Sequence, residues 1–339
     1  MSDSRSSNTP AQQARIQSWT RYWSSGALHS CPGSFRGNYE GSMAAYWLQR
    51  FATLQAGQRV LDLCTGNGAI PRWLMGLDGG TDVGAEVDAV DLAVLKPDWL
   101  DQLQAAQRQR LRIRGEVNAE ALPFADATMD LVTSQYGIEY ANLDLVFAEI
   151  ARVLKPGGQL QLLMHHAESR PVQMGAAEAR ALLPQLGPDG LLSAAAGLLP
   201  YLHAARDPAM REVLSRDTGA EQARRRFNDA QQAIAQQLAQ NQLAGAMLTD
   251  LRNQVQQVLQ IAQIGTLEQA TQAFQKVLAL WQESALRLAE LVSVAADANT
   301  MHARMARLQQ LGFSALNLTP VHFQNYLMGW ALTGTKSIA

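Results

Sequence analysis

The stretch VLDLCTGNG, residues 60–68, decides how this chain is read. An apolar run reaches an acid, Asp62, and then opens into a tight turn carrying Gly66 and Gly68; the following AIPRWLM (69–75) starts a helix. A strand delivered into a glycine turn and a helix N-terminus puts backbone N–H groups at the carboxyl edge of a sheet, where open α/β sheets hold their ligands. The run GNGAIP lacks the third glycine of the dinucleotide fingerprint, so a pyrophosphate is poorly served and a nicotinamide enzyme is disfavoured.

Outward from this turn, short apolar runs alternate with helical stretches between residues 57 and 166. Strands are expected at RVLDL (59–63), EVDAVDL (86–92), LRIRGEV (111–117), MDLVTSQ (129–135) and QLQLLMH (159–165). That alternation is the mark of βαβ units and a parallel sheet. Lys155-Pro156 and Gly157-Gly158 are expected to stop the helix LDLVFAEIARVL and turn the chain back into the last of these strands. Near the end, ARMARLQQLGF reads as a helix stopped by Gly312, and SALNLTPVHF and YLMGWALTGTK read as two strands that pair antiparallel.

Composition changes between these parts. From about 171 to 312 the chain is rich in Ala, Leu and Gln with no strand signal, and residues 231–275 hold 14 glutamines in 45 positions while keeping an apolar helical period. Leu248, Leu251, Val255, Val258 and Ala262 step by three and four, which lays one stripe along a helix. The stripe fits the core of a local bundle, a homodimer seam or a lid over a ligand. Because strand-like runs follow it, the helical block reads as an insertion into one α/β domain. The expected organisation is therefore a disordered start and aromatic-rich cap (1–56), a cofactor-binding core (57–170), a helical insertion (171–312) and two closing strands (313–339). The start is Ser, Asn, Gln and Pro rich to about residue 15; the cap carries Trp19, Tyr22, Trp23, Phe35, Tyr39, Tyr46, Trp47 and Phe51.

The 339 residues suffice for about two domains, and 28 basic against 30 acidic residues leave a net charge of −2 with no footprint for nucleic acid or anionic lipid. No apolar stretch is long enough to span a bilayer and the start lacks a signal-like apolar region, so a cytoplasmic protein is expected. Cys31 and Cys64 stand apart without metal-ligand spacing, so both are expected as reduced thiols and no metal site is expected.

Taken in order, VLDLCTGNGAIPRWL, VDAVDLA, NAEALPFADATMDLVTSQYGIEY and ARVLKPGGQLQLL resemble the class I S-adenosylmethionine-dependent methyltransferase family over roughly residues 57–166, with the last strands at 313–335. The resemblance implies a Rossmann-like, seven-stranded, mostly parallel sheet with helices on both faces, and S-adenosyl-L-methionine as cofactor. It also implies that Asp62, Cys64, Thr65, Gly66 and Gly68 form the cofactor loop, with Cys64 where the family commonly has a glycine. Asp91, beside Leu92, matches the acid that takes the ribose hydroxyls; Asn118, Ala119 and Glu120 border the adenine, with Asn118 replacing the more usual aspartate. Gln135 and Tyr136 match the stretch near the reactive methyl. The chemistry agrees: a carboxylate is a natural bidentate acceptor for a vicinal diol, and Asp91 follows Gly68 by 23 residues.

Methyl transfer is an in-line displacement, so alignment and water exclusion matter most, and a base is needed only where the nucleophile carries a proton it does not lose unaided. Successive strand residues face opposite ways, so one of His165 and His166 is expected at the site; His166 is favoured as base or acceptor contact, with Glu139 and His29 as further candidates, and the early aromatic segment with Tyr136 or Tyr140 as aromatic walls. Each of these is equally a packing residue. The absence of an Asn-Pro-Pro-Tyr-like run or a Pro-Cys nucleophile favours a small or medium-sized organic acceptor, methylated at oxygen, nitrogen or carbon. The alternatives are a protein methyltransferase docking its target on the helical insertion, and a cofactor-binding regulatory protein without turnover.

Overall fold

The computed structural model describes residues 10–30, 37–240 and 242–338. Cys31, Phe35 and the first nine residues of the expected disordered start lie outside the described residues; from Pro10 onward the chain is helical. By internal contacts the chain divides into two compact units, residues 1–172 with 294–339, and residues 173–293.

The first unit contains helices α1 (Pro10–Ser24) and α2 (Gly41–Phe51), then β1 (Arg59–Leu63), α3 (Ala69–Leu74), β2 (Glu86–Val90), α4 (Ala105–Arg110), β3 (Leu111–Arg114), β4 (Met129–Gln135), α5 (Leu143–Val153) and β5 (Leu154–Met164). After the second unit come α12 (Ala298–Gln310), β6 (Phe313–Phe323) and β7 (Tyr326–Lys336). The strands form one seven-stranded sheet in the order β3-β2-β1-β4-β5-β7-β6. Pairing is parallel from β3 through β5, while β7 runs antiparallel between β5 and β6. The order reverses between β1 and β4, which opens a crevice at their carboxyl ends.

Alternation along the strands sorts the core into two layers. Val60, Val87, Leu131 and Leu163 pack with Trp47 and Phe51 of α2 and Trp73 and Leu74 of α3. Leu61, Leu63, Val132, Leu160 and Leu162 pack on the opposite face with Phe147 and Ile150 of α5 and Met301 and Leu308 of α12. α5 shows why a stretch becomes a helix here: Asn142 caps its first turn by accepting from the Asp144 N–H at 3.1 Å, and Val146, Phe147, Ile150 and Val153 bury one face. Each such side chain contributes about 1.5–3 kcal/mol on burial.

Several expectations shift by a few residues. β2 stops at Val90 and β3 at Arg114, so Asp91 and the segment 115–117 lie in carboxyl-edge loops. Lys155-Pro156-Gly157-Gly158 is not a turn: it forms the irregular beginning of β5, where the register with β4 slips between Met129 and Leu131. The expected insertion boundary at 312 also moves, because α12 buries Met301 and Leu308 in the sheet's own core. Asp297 starts that helix, its side chain accepting from the Thr300 N–H at 2.8 Å.

The second unit carries most of α6 (Arg170–Leu186), then α7 (Leu191–Ala204), α8 (Pro208–Ser215), α9 (Thr218–Gln240), α10 (Gly245–Ile264) and most of α11 (Leu267–Val294). Leu248, Leu251, Val255, Val258 and Ala262 of α10 are all buried in a cluster with Leu191, Leu192, Ala195 and Leu199 of α7 and Ile234 of α9. The stripe is therefore this unit's own core and is not exposed as a seam for a second copy. No helix among the described residues is long and apolar enough to cross a membrane.

Candidate functional site

Glycines are needed at two positions of the loop after β1. Gly66 and Gly68 have φ of +54° and +82°, the left-handed region that costs other residues about 1–2 kcal/mol. Both are also approached closely: a Cβ at 66 would stand 2.6 Å from the Trp23 ring, and one at 68 would stand 2.8 Å from Trp99. Cys64, two residues before Gly66, also adopts φ +54°. The loop is tied down from outside, Asn67 Nδ2 donating to the carbonyls of Trp23 at 2.8 Å and Ala27 at 2.7 Å.

This loop floors a cleft of about 1210 Å³, counting its open mouth, at the carboxyl edge of the sheet. Asp62, Cys64 and Thr65 line it from β1 and its loop, Asp91 and Leu92 from the end of β2, Asn118, Ala119 and Glu120 from beyond β3, and Gln135, Tyr136 and Tyr140 from beyond β4. Ten of the twelve expected cofactor residues therefore line one cleft, while Gly66 and Gly68 belong to its loop without lining it.

Asp91 is the most tightly held acid. Its Oδ2 accepts from the Gly66 N–H at 2.9 Å and its Oδ1 from the Ala93 N–H at 2.8 Å, so each oxygen keeps a lone pair for a ligand hydroxyl. Burial raises its pKa, and those backbone donors pull it back down. Asp62 accepts from Thr133 Oγ1 at 2.8 Å; burial pushes its carboxyl up to about 7 against that bond, with the Asp91 charge adding to the rise. The Cys64 thiol is raised by burial and then by Asp91, Glu139 and Asp62, so it stays protonated and is a poor nucleophile.

Three of the expected cofactor residues already have partners within the protein. Asn118, expected to border the adenine, is exposed, and its Oδ1 accepts from the Glu120 N–H at 2.9 Å, closing a local turn. Gln135 accepts through Oε1 from Trp47 Nε1, which ties β4 to α2. Glu120 accepts through Oε1 from the Asn142 N–H at 2.8 Å.

The candidate bases separate. His29 lines the cleft, with Nε2 3.1 Å from the Gly37 carbonyl and its ring 4.5 Å from Tyr39; burial lowers its pKa. His166, the favoured histidine, is corrected by the structure. Its ring stacks on Trp330 at 4.3 Å, its Nδ1 accepts from the Glu168 N–H, and it does not line the cleft. His165 does not line the cleft either, but it backs its wall: it stacks on Tyr136 at 4.5 Å and places Nε2 3.3 Å from the Tyr140 hydroxyl. Burial lowers its pKa to about 3. Glu139 lies behind the cleft wall, accepting from the His165 backbone N–H at 2.9 Å, with burial raising its pKa to about 7. Tyr136, at φ +53°, donates its hydroxyl to the Met328 carbonyl at 3.0 Å.

The early aromatic segment was expected as a wall of the site, and the structure adds the turns of α1 before it. Gln12, Arg15, Ile16, Trp19 and Trp23 of α1 line the same cleft. The helix is tied to three separate loops: Arg15 donates to the Tyr140 carbonyl at 3.0 Å, the Val94 N–H donates to Thr20 Oγ1 at 3.0 Å, and Asn67 holds its last turn. Trp19 stacks on Trp23 and meets Tyr140 edge-on, both at 5.7 Å. The aromatic density of residues 19–51 was the available signal; Arg15 had none.

The cleft therefore combines three acids, Asp62, Asp91 and Glu120, with aromatic faces from Trp19, Trp23, Tyr39, Tyr136 and Tyr140. Such a lining suits a polar ligand carrying a diol, a positive charge and a flat ring. Asn67 Oδ1 is buried at the loop without a partner. Among the described residues no cluster of His, Cys, Asp and Glu could hold a metal ion.

The family model described as "Methyltransferase domain" matches residues 61–162. The chain is 33% identical over 168 residues to the demethylmenaquinone methyltransferase of Thermus thermophilus, covering 46% of this chain and 70% of that protein. It is 36% identical over 116 residues to a ubiquinone/menaquinone biosynthesis C-methyltransferase of Xylella fastidiosa, covering 33% of this chain and 44% of that protein. The chain thus spans less than half the length of the first such relatives. Among solved structures it is similar to the geranyl diphosphate C-methyltransferase of Streptomyces coelicolor, at 18% identity and a TM-score of 0.34, over 47% of this chain and 66% of that one.

Proposed function

We propose that this chain, which belongs to the class I S-adenosylmethionine-dependent methyltransferase family, binds S-adenosyl-L-methionine in the α1-roofed cleft and methylates a small or medium-sized organic acceptor. The observation that carries this reading is the Asp91 carboxylate. It is buried at the end of β2, pinned by the N–H of Gly66 and of Ala93, and left with free lone pairs on both oxygens beside the strand, β1, at which the sheet order reverses. That arrangement is preorganised for a ribose diol and needs no rearrangement to accept it.

The remaining residues divide the work. Asp62 and the loop 64–68 would hold the amino-acid tail, and Leu92 and Ala119 would flank the adenine. The cofactor supplies an electrophilic methyl group. The rings of Trp19, Trp23, Tyr39 and Tyr136 would favour the positive charge and keep water from the reacting atoms. His29 and Tyr39, which also line the cleft, would meet the acceptor. The two relatives are named for quinone methylation, so a flat, apolar acceptor such as a demethylated quinol is the first to test. We place the reaction in the cytoplasm, without nucleic acid, and leave the helical unit (173–293) as a separate body whose removal spares cofactor binding.

The test is calorimetric titration with S-adenosylmethionine and S-adenosylhomocysteine, followed by incubation of the protein with isotope-labelled S-adenosylmethionine and a cell extract. Micromolar cofactor binding and a labelled small-molecule product are expected. Failure to bind either nucleoside ends the proposal, and label confined to protein would redirect it to a protein acceptor.

A further inference from the structure

Behind the cleft wall lies a buried polar group that the cofactor site does not use. Tyr140 is half-buried and lines the cleft. Its hydroxyl stands 3.3 Å from Nε2 of His165, whose ring is buried and clamped against Tyr136 at an interplanar angle of 13°. The other ring nitrogen, Nδ1, is buried and has no hydrogen-bond partner. Glu139, also buried, accepts the His165 backbone N–H through Oε1 at 2.9 Å, while its Oε2 has no partner. One buried nitrogen and one buried carboxylate oxygen are thus left unsatisfied on residues already bonded to each other. Unpaired buried polar atoms cost about 1–3 kcal/mol each, so a chain keeps them at a price that function can explain.

We propose that Tyr140, His165 and Glu139 form a proton relay that carries the acceptor's proton from the cleft wall into the protein. This deepens the methyltransferase reading above and rests on it, since only an O–H, N–H or C–H acceptor has such a proton to lose. The acceptor's bond to hydrogen breaks as its new bond to carbon forms, and that proton passes to the Tyr140 oxygen. The tyrosine's own proton moves to Nε2 of His165, and the Nδ1 proton leaves through one bridging water to Oε2 of Glu139. Each electron pair stays on the atom that gave up the proton. The imidazole is neutral before and after, with its tautomer reversed, and Glu139 changes from carboxylate to acid. A neutral ring at the start agrees with the fall in the His165 pKa to about 3, and the rise of Glu139 to about 7 matches a terminal acceptor near neutral pH. The groups facing Glu139 are the Cys64 thiol from the β1 loop, Arg304 from α12, whose charge lowers the Glu139 pKa, and His165 itself.

The test uses the full chain labelled with ¹⁵N-histidine and ¹³C-glutamate, the His165 and Glu139 signals being assigned by their loss in H165Q and E139Q. The relay requires His165 neutral at pH 7 with its proton on Nδ1, a Glu139 midpoint raised above the usual glutamate range, and a Y140F spectrum in which the Nε2 signal shifts. A proton on Nε2, or a Glu139 midpoint in the ordinary range, overturns it. Y140F removes a single oxygen, so it keeps the test open if H165Q does not fold; the tautomer can be read from the wild-type spectrum. In the labelled-methyl assay Y140F and E139Q are expected to lose at least tenfold in turnover at unchanged cofactor affinity. Full turnover in both overturns the relay while sparing the methyltransferase reading. Absence of cofactor binding in the wild type sinks that reading, whereas the tautomer measurement still decides the relay.

Discussion

Replacing Asp91 by Asn separates holding a loop from binding a ligand. In the native cleft the two oxygens of Asp91 accept one backbone N–H each, from Gly66 at 2.9 Å and Ala93 at 2.8 Å. Asn offers a single acceptor, so one of those N–H groups must face an amide NH₂. The orphaned donor costs the free protein about 1–3 kcal/mol, offset in part because burial already disfavours the native carboxylate. The ligand loses more directly: a charge-assisted pair to the ribose diol is worth about 1.5–3 kcal/mol, which is roughly a 10- to 150-fold weaker dissociation constant at about 1.4 kcal/mol per tenfold. Calorimetric titration with S-adenosylhomocysteine at pH 7.5 reads that ratio, and thermal unfolding of the free protein reads the loop term separately. An affinity within twofold of wild type in a folded D91N protein would show that Asp91 braces the loop and does not touch the ribose.

Gly66→Ala combines left-handed strain with a Cβ 2.6 Å from Trp23, so it should displace the roof helix; reduced quenching among Trp19, Trp23 and Tyr140 and weaker cofactor binding are expected, and an unchanged tryptophan spectrum would contradict the packing. His166→Ala should lower stability by removing the stack on Trp330 while leaving cofactor affinity intact, which calorimetry on the variant checks. Asp62 and Glu139 have folded pKa values of about 7 against ordinary values of 3.8 and 4.5, so the folded state holds the extra protons and stability falls as pH rises through about 4.5 to 7. His165, depressed to about 3, acts oppositely, its contribution being lost as pH falls below about 6.5. The unfolding midpoint of E139Q should therefore decline less than that of wild type between pH 5 and 7.5; parallel curves would refute the buried ionisation. Excising 173–293 behind a short Gly-Ser linker should leave a folded unit that binds S-adenosylhomocysteine, provided the cut spares Ala296, whose carbonyl accepts from Trp330 Nε1 at 2.9 Å; an unfolded product would show that the two units fold together.

What the amino-acid sequence determined by itself was local: apolar runs of period two, a glycine turn, a helix stop at Gly312, and hence the strands, their boundaries within a few residues, and the loop of Asp62 to Gly68. These follow from backbone sterics and from alternation along a single strand, which act between neighbours in the chain. The resemblance of the ordered motifs then pointed to Asp91 and to residues 118–120. Tertiary structure decided whatever depends on residues far apart in sequence. The KPGG segment became an irregularity within β5 because Leu154 before it and Gln159 after it both pair with β4, leaving residues 155–158 as the slip between them. The choice between His165 and His166 rested on one step of strand phase, which a bulge or a shifted end can invert and which only the neighbours Tyr136 and Trp330 reveal. α1 became a roof through Arg15, Thr20 and Trp23, residues with no shared pattern, because three loops from different strands converge beneath it. Periodicity tells which side of an element is apolar; what that side meets is set by the packing of the whole chain.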